Sequence, residues 1–290
     1  MKKILSIIIV TYNSERLIFD CLDSIYKFND IGNALEVIVV DNNSNDQESV
    51  FSKIRNDYAN DIILIKNETN SGYGSGNNLG VESVTANRFI VINPDVRILY
   101  PIFNQLIKTL DNNPKIGMLG VTFSDKSCPL YFKPEYNTLF RSLIFKVYVS
   151  LFLFDMRKMY LSGSFLLFDK KTFIEAGKFD PNFFLYYEEP DITNRILNLG
   201  KDIVLEKNIE VHHLTHNRGF NPSLATFEIK SLEYYLDKYQ FDKISVMNNY
   251  LCTYKFKYII ATITFNKSKQ ILFKNWVKLI ENQKPNSTNH

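Results

Sequence analysis

Asp95 stands near the end of the run Phe89-Ile-Val-Ile-Asn-Pro-Asp-Val96, where a short apolar, β-branched stretch breaks off at Asn93-Pro94-Asp95. That pattern predicts a buried strand delivering a carboxylate to a loop at its C-terminal end. A carboxylate so placed can hold a divalent cation through oxygen, and the cation can hold a diphosphate. Taken alone, Asp95 would serve equally well to cap a turn ahead of a helix beginning near Pro101. Its company changes the balance. Thr11, Tyr12 and Asn13 end one apolar run, and Asp41 and Asn43 end a second. Asn70, Gly72, Gly74 and Asn77 follow a third, and Asn93 precedes Asp95 itself. In open α/β sheets ligands bind at the carboxyl ends of the strands, and all of these residues fall on that edge. They offer hydrogen-bonding groups, a ring that can stack, backbone amides freed by glycine, and a carboxylate. That inventory suits a nucleoside diphosphate. Asp41 can accept from a pyrimidine N–H or a ribose hydroxyl. No Gly-x-Gly-x-x-Gly follows the first strand and no Walker lysine follows the glycine-rich turn, which argues against dinucleotide and P-loop chemistry.

The elements that position these residues alternate. Strands are predicted at 4–10, 36–40, 62–65 and 89–92, with helices over about 15–28, up to about Tyr58, and from the turn Ser71-Gly-Tyr-Gly-Ser-Gly76 onward. Leu17, Ile18, Cys21, Leu22 and Ile25 repeat at helical spacing behind Ser14, a plausible N-cap. This order implies an α/β fold with a mostly parallel sheet and helices on both faces. Beyond it, strands are expected at 115–121, 164–168 and 203–211, short helices at 170–176 and 190–199, and irregular chain at 122–138. From about 222 the pattern is helical, over 224–239, 243–263 and 268–281, and residues 283–290 read as disordered. We therefore divide the chain into a domain over 1–221 and a C-terminal helical, basic and aromatic extension over 222–290.

Bulk composition narrows the partners. Net charge is only +3 over 290 residues, which gives no footprint for nucleic acid. The charge is uneven, however: from Phe220 to His290 ten lysines face five carboxylates, a local balance of +5 that leaves the rest about −2. A basic, aromatic tail on a near-neutral body suggests an anionic surface such as a membrane. The stretch Leu139–Phe154 is almost wholly apolar and reads either as a core element or as an amphipathic segment touching a bilayer. Three scattered cysteines form no disulfide framework or zinc spacing, which fits a reducing compartment. The N-terminal apolar run is short and lacks a small-residue cleavage site, so it reads as the first strand. The expected location is cytoplasmic, with peripheral contact at the inner face of the membrane.

Five segments occur in order: Ser6-Ile-Ile-Ile-Val-Thr-Tyr-Asn-Ser14, Val39-Val-Asp-Asn-Asn-Ser44, Asn70-Ser-Gly-Tyr-Gly-Ser-Gly-Asn-Asn-Leu-Gly80, Asn93-Pro-Asp-Val96, and Gly177-x-Phe-Asp followed by Tyr187-Glu-Glu-Pro-Asp191. Together, over about residues 4–220, the chain resembles the inverting glycosyltransferases of family 2 with a GT-A fold. Within them it is most similar to bacterial rhamnosyltransferase-like members that build surface polysaccharides. The resemblance implies that Thr11, Tyr12, Asn13 and Asp41 hold the base and ribose of a nucleoside-diphosphate sugar, with Asn43 and Asn93 at the same edge. It implies that Asn70, Gly72 and Asn77 line the nucleotide and sugar. Asn93-Pro94-Asp95 stands where many members carry Asp-x-Asp, so Asp95 would hold a divalent metal, Mn²⁺ or Mg²⁺. A histidine would complete the metal shell, His213 before His212, with His216 third. Glu188-Glu189 stands where the family has Glu-Asp, which makes Glu189 the general base, with Asp191 orienting the acceptor or Arg195. Apart from the resemblance, Glu188, Glu189 and Asp191 would suit the positive end of a helix dipole.

The expected reaction is transfer of a sugar, from dTDP-rhamnose first and a UDP-hexose second, to a glycan or lipid-linked glycan. Two rivals stand beside it. A sugar-nucleotide nucleotidyltransferase should carry a basic glycine-rich loop directly after strand one, where this chain has Thr-Tyr-Asn-Ser. A non-catalytic sugar-nucleotide-binding assembly subunit would bind donor without turnover.

Overall fold

The structure is a computed structural model describing residues 2–58, 62–125, 127–214 and 220–283. Chain order begins β1 (Leu5–Thr11), α1 (Glu15–Lys27), β2 (Leu35–Asp41), α2 (Gln47–Asp57), β3 (Ile62–Lys66), α3 (Tyr73–Glu82) and β4 (Arg88–Ile92). It continues with β5 (Val96–Ile98), α4 (Phe103–Asn112), β6 (Ile116–Phe123), β7 (Leu130–Phe132), α5 (Leu139–Ser150), β8 (Met159–Leu161) and β9 (Phe165–Asp169). Then come α6 (Lys170–Glu175), α7 (Glu188–Asn198), β10 (Asp202–His213), α8 (Pro222–Lys238), α9 (Lys243–Ile263) and α10 (Lys267–Gln283).

Eight strands form one mostly parallel sheet in the order β3-β2-β1-β4-β9-β6-β10-β5. β1 runs parallel to both β2 and β4, and β2 to β3, so their carboxyl ends emerge on one edge. β1 and β2 are apolar on both faces because helices cover both, as continuous β-branched runs require. Their inward positions pack with Ile18, Cys21, Leu22 and Ile25 of α1 in the main core. At the opposite edge, the buried Glu36 accepts from Ser6 Oγ at 2.5 Å, from Thr85 N at 3.0 Å and from Thr85 Oγ1 at 2.8 Å. That carboxylate is spent on holding the sheet's amino end.

Several expectations need correcting. The strand near 164–168 is β9, and it runs antiparallel to both β4 and β6. β5 follows Asp95 at once and pairs antiparallel with β10, so a short strand separates Asp95 from the helix expected near Pro101, which is α4 beginning at Phe103. The stretch 122–138 is not wholly irregular, since β7 pairs with β8 in a two-stranded ribbon. Ser14 occupies the N-cap position of α1, but its hydroxyl bonds Tyr12 O and not the helix. α7 begins at Glu188, two residues earlier than its proline suggests. The disorder expected at 283–290 falls, beyond Gln283, outside the described residues.

Two compact units divide the chain. The first comprises Met1–Tyr131, Phe154–Phe184 and Glu188–Thr215, and holds the sheet. The second comprises Phe132–Leu153, Leu185–Tyr187 and His216–His290. In the second unit, α8 buries Ile229, Leu232, Tyr235 and Leu236, and Tyr235 donates from its hydroxyl to Glu135 at 3.2 Å. α5 contributes no buried residue, so the 139–154 stretch is not a core element; Phe140, Leu143, Val147 and Leu151 stand exposed at helical spacing. No helix among the described residues is long and apolar enough to cross a membrane.

Candidate active site

The carboxyl ends of β1 and β2 are bound to each other before any ligand is considered. Thr11 and Asp41 sit opposite one another in register, both buried, while Tyr12 is 50% exposed and presents its ring. Asn13 and Asn43 adopt positive φ (49° and 69°), a conformation asparagine tolerates better than most residues. Asn13 N donates to Ser44 Oγ at 2.8 Å, and Asn13 Oδ1 accepts from Asn45 N at 3.0 Å. Asp41 Oδ1 accepts from Ser44 N at 2.8 Å and Gln47 Nε2 at 2.7 Å, so one of its oxygens already shapes the loop.

Asn42, which sequence reasoning passed over, is the hub of the next layer. Its amide nitrogen donates to Asn70 Oδ1 at 3.1 Å and Gly72 O at 2.9 Å, and its oxygen accepts from Asn67 Nδ2 at 2.7 Å. Gly72 needs to be glycine: its φ is +86°, and a Cβ would overlap Phe184 O. Asn70 Oδ1 also accepts from Gly72 N at 3.1 Å, so Asn70 and Gly72 build the turn as well as bordering it. The other glycines of this motif serve close packing. Gly76 and Gly80 let α3 approach Val10 and Ile8, where a Cβ would collide. Asn77 does not line an open surface either: it is fully buried and donates to Tyr73 O at 3.0 Å, bracing the helix start from within.

At the end of β4, Asp95 meets the end of β10. His213 Nε2 lies 3.5 Å from Asp95 Oδ1, and both are largely buried. Strand alternation decides between the neighbouring histidines: His212 turns to Ser124 Oγ at 3.0 Å, while His213 faces Asp95. His216 lies outside the described residues. Ser127 Oγ and Ser164 Oγ each sit 3.2 Å from a ring nitrogen of His213 and fix its orientation. Asn93 N donates to Ser164 O at 3.0 Å, which places Asn93 behind the pair. No group of three or more His, Cys, Asp or Glu suited to a metal occurs among the described residues. One carboxylate and one imidazole nevertheless fit a divalent cation that takes its remaining ligands from diphosphate oxygens and water.

The third cluster begins α7. Tyr186 and Tyr187 both have positive φ (71° and 68°), an uncommon conformation for aromatic residues, directly before Glu188. Glu189 is half-buried, and its Oε1 accepts from Gly163 N at 3.1 Å. Gly163 O in turn accepts from Tyr73 Oη at 2.6 Å. A Cβ at Gly163 would overlap the Glu189 carboxylate, so this glycine makes the space the carboxylate occupies. Burial raises the pKa of Glu189, against the pull of two backbone N–H groups. Burial likewise pushes Glu188 well above its ordinary value, reinforced by the negative charge of Glu189. Glu188 is 1% exposed, and its Oε1 has no hydrogen-bond partner among the described residues. Burial and these two glutamates hold the Tyr73 hydroxyl protonated, so it acts as a donor.

Asp191 turns into the protein interior. It is fully buried, and its Oδ2 accepts from Arg195 Nε at 3.0 Å and Nη2 at 2.6 Å, while Arg195 Nη1 donates to Ala176 O. This is the contact with Arg195 that was one of the two roles expected of it. Sequence reasoning also missed the tripeptide Ser162-Gly163-Ser164, whose centre holds Glu189 and whose last residue holds His213 and Asn93. Its only sequence signal was a run of small residues entering β9.

The profile of Glycosyl transferase family 2 matches residues 6–177. The chain belongs to glycosyl transferase family 2. The match takes in the ends of β1, β2 and β4, while Glu188, Glu189 and His213 lie beyond it. The chain is similar to the low-salt glycan biosynthesis hexosyltransferase Agl10 of Haloferax volcanii, at 26% identity over 218 residues. That alignment takes in 70% of this chain and 66% of the relative, a little under two thirds of its length. Among solved structures it is similar to the mannosyltransferase PcManGT of Pyrobaculum calidifontis, solved with GDP-Man and Mn²⁺. There the TM-score is 0.64 at 14% identity, covering 97% of this chain and 85% of the other. At that identity the likeness speaks for the GT-A fold. For a family 2 chain, the Asp95–His213 pair and the Glu188–Glu189 pair are the groups whose chemistry needs an account, and His213 and Glu189 are both tied to one tripeptide.

Proposed function

We propose that the protein is an inverting glycosyltransferase that moves a sugar from a nucleoside diphosphate to a hydroxyl of a glycan or lipid-linked glycan in polysaccharide assembly. The observation that carries this reading is the anchoring of Glu189 Oε1 on Gly163 N, with Asp95 and His213 paired on the same scaffold. Glu189 takes the proton of the acceptor hydroxyl as that oxygen bonds to the anomeric carbon. The bond from that carbon to the diphosphate oxygen breaks, and the electron pair leaves with the diphosphate. A base raised by burial is better matched to this task near neutral pH than an ordinary carboxylate. Asp95 and His213 would hold a divalent cation, Mn²⁺ or Mg²⁺, which when bound supplies positive charge for the departing diphosphate. Tyr12 stacks on the base, while Thr11, Asn13, Asp41 and Asn43 form the pocket around base and ribose. Asn70 and Gly72 border the diphosphate side.

The motif-level resemblance to rhamnosyltransferases favours dTDP-rhamnose. The names of the relative and the structural neighbour favour a hexose, carried on GDP in the neighbour. A thermal-shift and product-release assay with dTDP-rhamnose, UDP-glucose, UDP-galactose, UDP-N-acetylglucosamine and GDP-mannose, each with Mn²⁺, Mg²⁺ or EDTA, tests the proposal. Metal-dependent stabilisation by one donor, lost in Asp95→Ala, is the expected result. Stabilisation by a donor with no nucleotide released would overturn it in favour of a non-catalytic sugar-nucleotide-binding subunit, and no response of either kind from folded protein would overturn it outright.

A further inference from the structure

The second unit carries a feature that the proposed chemistry does not use. α9 and α10 form a hairpin joined by Thr264, Phe265 and Asn266. Phe265 is 88% exposed, and Ile263 and Ile271 beside it are 66% and 63% exposed. Ile259 and Ile260 stand open on the same last turns of α9. The tip is built, not loose. Phe265 N donates to Thr262 O at 3.1 Å, and Asn266 N to Ala261 O at 2.9 Å. Asn266 Oδ1 accepts from Lys269 N at 3.0 Å, and Gln270 Nε2 donates to Ala261 O at 3.1 Å. Phe265 itself sits at φ +53°, an unfavourable conformation for a non-glycine residue. The fold thus bears a backbone cost to present a large apolar ring to water.

The charge around the tip has one sign. Over the hairpin as a whole, from Lys243 to Gln283, seven lysines face one carboxylate, Glu281, which Lys255 engages at 2.7 Å, while Lys243 at the far end engages Asp237 at 2.6 Å. Lys267 and Lys269 occupy the first turn of α10, which contains no acidic residue. Cations there oppose the helix dipole, so an external anion would relieve them. An apolar wedge flanked by Lys267 and Lys269 complements an anionic bilayer: the side chains enter the acyl boundary and the ammonium groups meet lipid phosphates.

We propose that the α9–α10 tip, with Phe265 as its wedge, docks the protein on an anionic lipid surface. This rests on unit-two geometry alone and needs no turnover, so it can fail while the glycosyltransferase reading stands, and the reverse. The full chain is titrated with phosphatidylglycerol/phosphatidylcholine vesicles and with pure phosphatidylcholine vesicles. Binding is read by co-sedimentation and by the fluorescence of Trp276, the single tryptophan, which stacks on Tyr254 within the hairpin. Binding to the anionic vesicles alone, weakened by salt, is the expected result. Phe265→Ser should weaken it about tenfold or more. Lys267→Gln with Lys269→Gln should weaken it about fivefold per lysine. The lysine variant carries the test if Phe265→Ser proves unfolded. Wild-type protein that stays in the supernatant with anionic vesicles overturns the proposal. So does a tip that instead pairs with a second copy of the chain, seen as a dimer by light scattering that Phe265→Ser converts to monomer without any vesicle binding.

Discussion

The two units use their polar groups in opposite ways. The first turns them inward, onto one another: Asn42 ties the loop after β2 to the loop after β3, Gly163 holds Glu189, and His213 sits between two serine hydroxyls and Asp95. The second leaves lysines around an apolar tip, with one nearby carboxylate among the described residues of the hairpin. The contrast separates a site organised in advance of its ligand from a surface whose partner must come from outside. Preorganised groups contribute through geometry held to fractions of an ångström. A charged, greasy tip contributes through area and charge, and tolerates displacement.

If the contrast holds, damage to one unit should leave the other's readout intact. The largest effect is expected from Glu189→Gln, which should lower turnover about 10²–10⁴-fold while donor-induced thermal stabilisation and vesicle binding persist. Next comes His213→Ala, which should weaken metal-dependent donor binding about 10–100-fold, measured by titrating Mn²⁺ against a fixed donor. Vesicle binding should again be unaffected. Arg195→Met strands the buried carboxylate of Asp191, and urea unfolding should show a loss of about 3 kcal/mol. This would damage the first unit through its frame, not its chemistry.

The smallest effect concerns Glu188 and pH. Its carboxyl is raised in the fold, so between the ordinary value of 4.5 and its raised value the native state holds a proton that the unfolded chain has released. Stability contributed by this group is therefore present below about 4.5 and declines as pH rises through that window. Glu188→Gln should flatten the decline, giving a higher Tm than wild type at pH 8 and little difference at pH 4. A melting profile that remains parallel to wild type across this range would show that Glu188 is not held protonated.

Much of the first unit was legible in the sequence because its signals are local. Apolar runs with polar ends mark strand termini, and a parallel order brings those termini to one edge whatever the side chains do there. Hence Thr11, Asp41, Asn70 and Asp95 share a region, and His213 could be preferred over His212. What stayed hidden depends on direction and distance. The text of the chain places Glu36 at the start of one strand and Asp95 after the end of another, but nothing in it shows that the carboxylate of Glu36 is spent on Ser6 and Thr85. Asp191 is two residues from Glu189, yet the turn of α7 carries it into the interior to Arg195. Asn42 and Gly163 act through partners 28 and 26 residues away, at Asn70 and Glu189, and no periodicity records such pairings. The reversal of β9 escaped for a similar reason, since an apolar strand reads the same in either direction.

The reach of Asn42 also says something about time. Its amide finds Asn67, Asn70 and Gly72 only after β1, β2, β3 and the start of α3 have come together, which requires closing loops of about 25–30 residues. Such contacts gain only after the entropy of closure has been lost, so they follow the pairing of the strands that carry them. A nucleotide that occupies these loops would then act on a step that comes after the sheet has formed there. It would slow their reopening, which amide hydrogen exchange at Gly72 and Tyr73 would register as added protection.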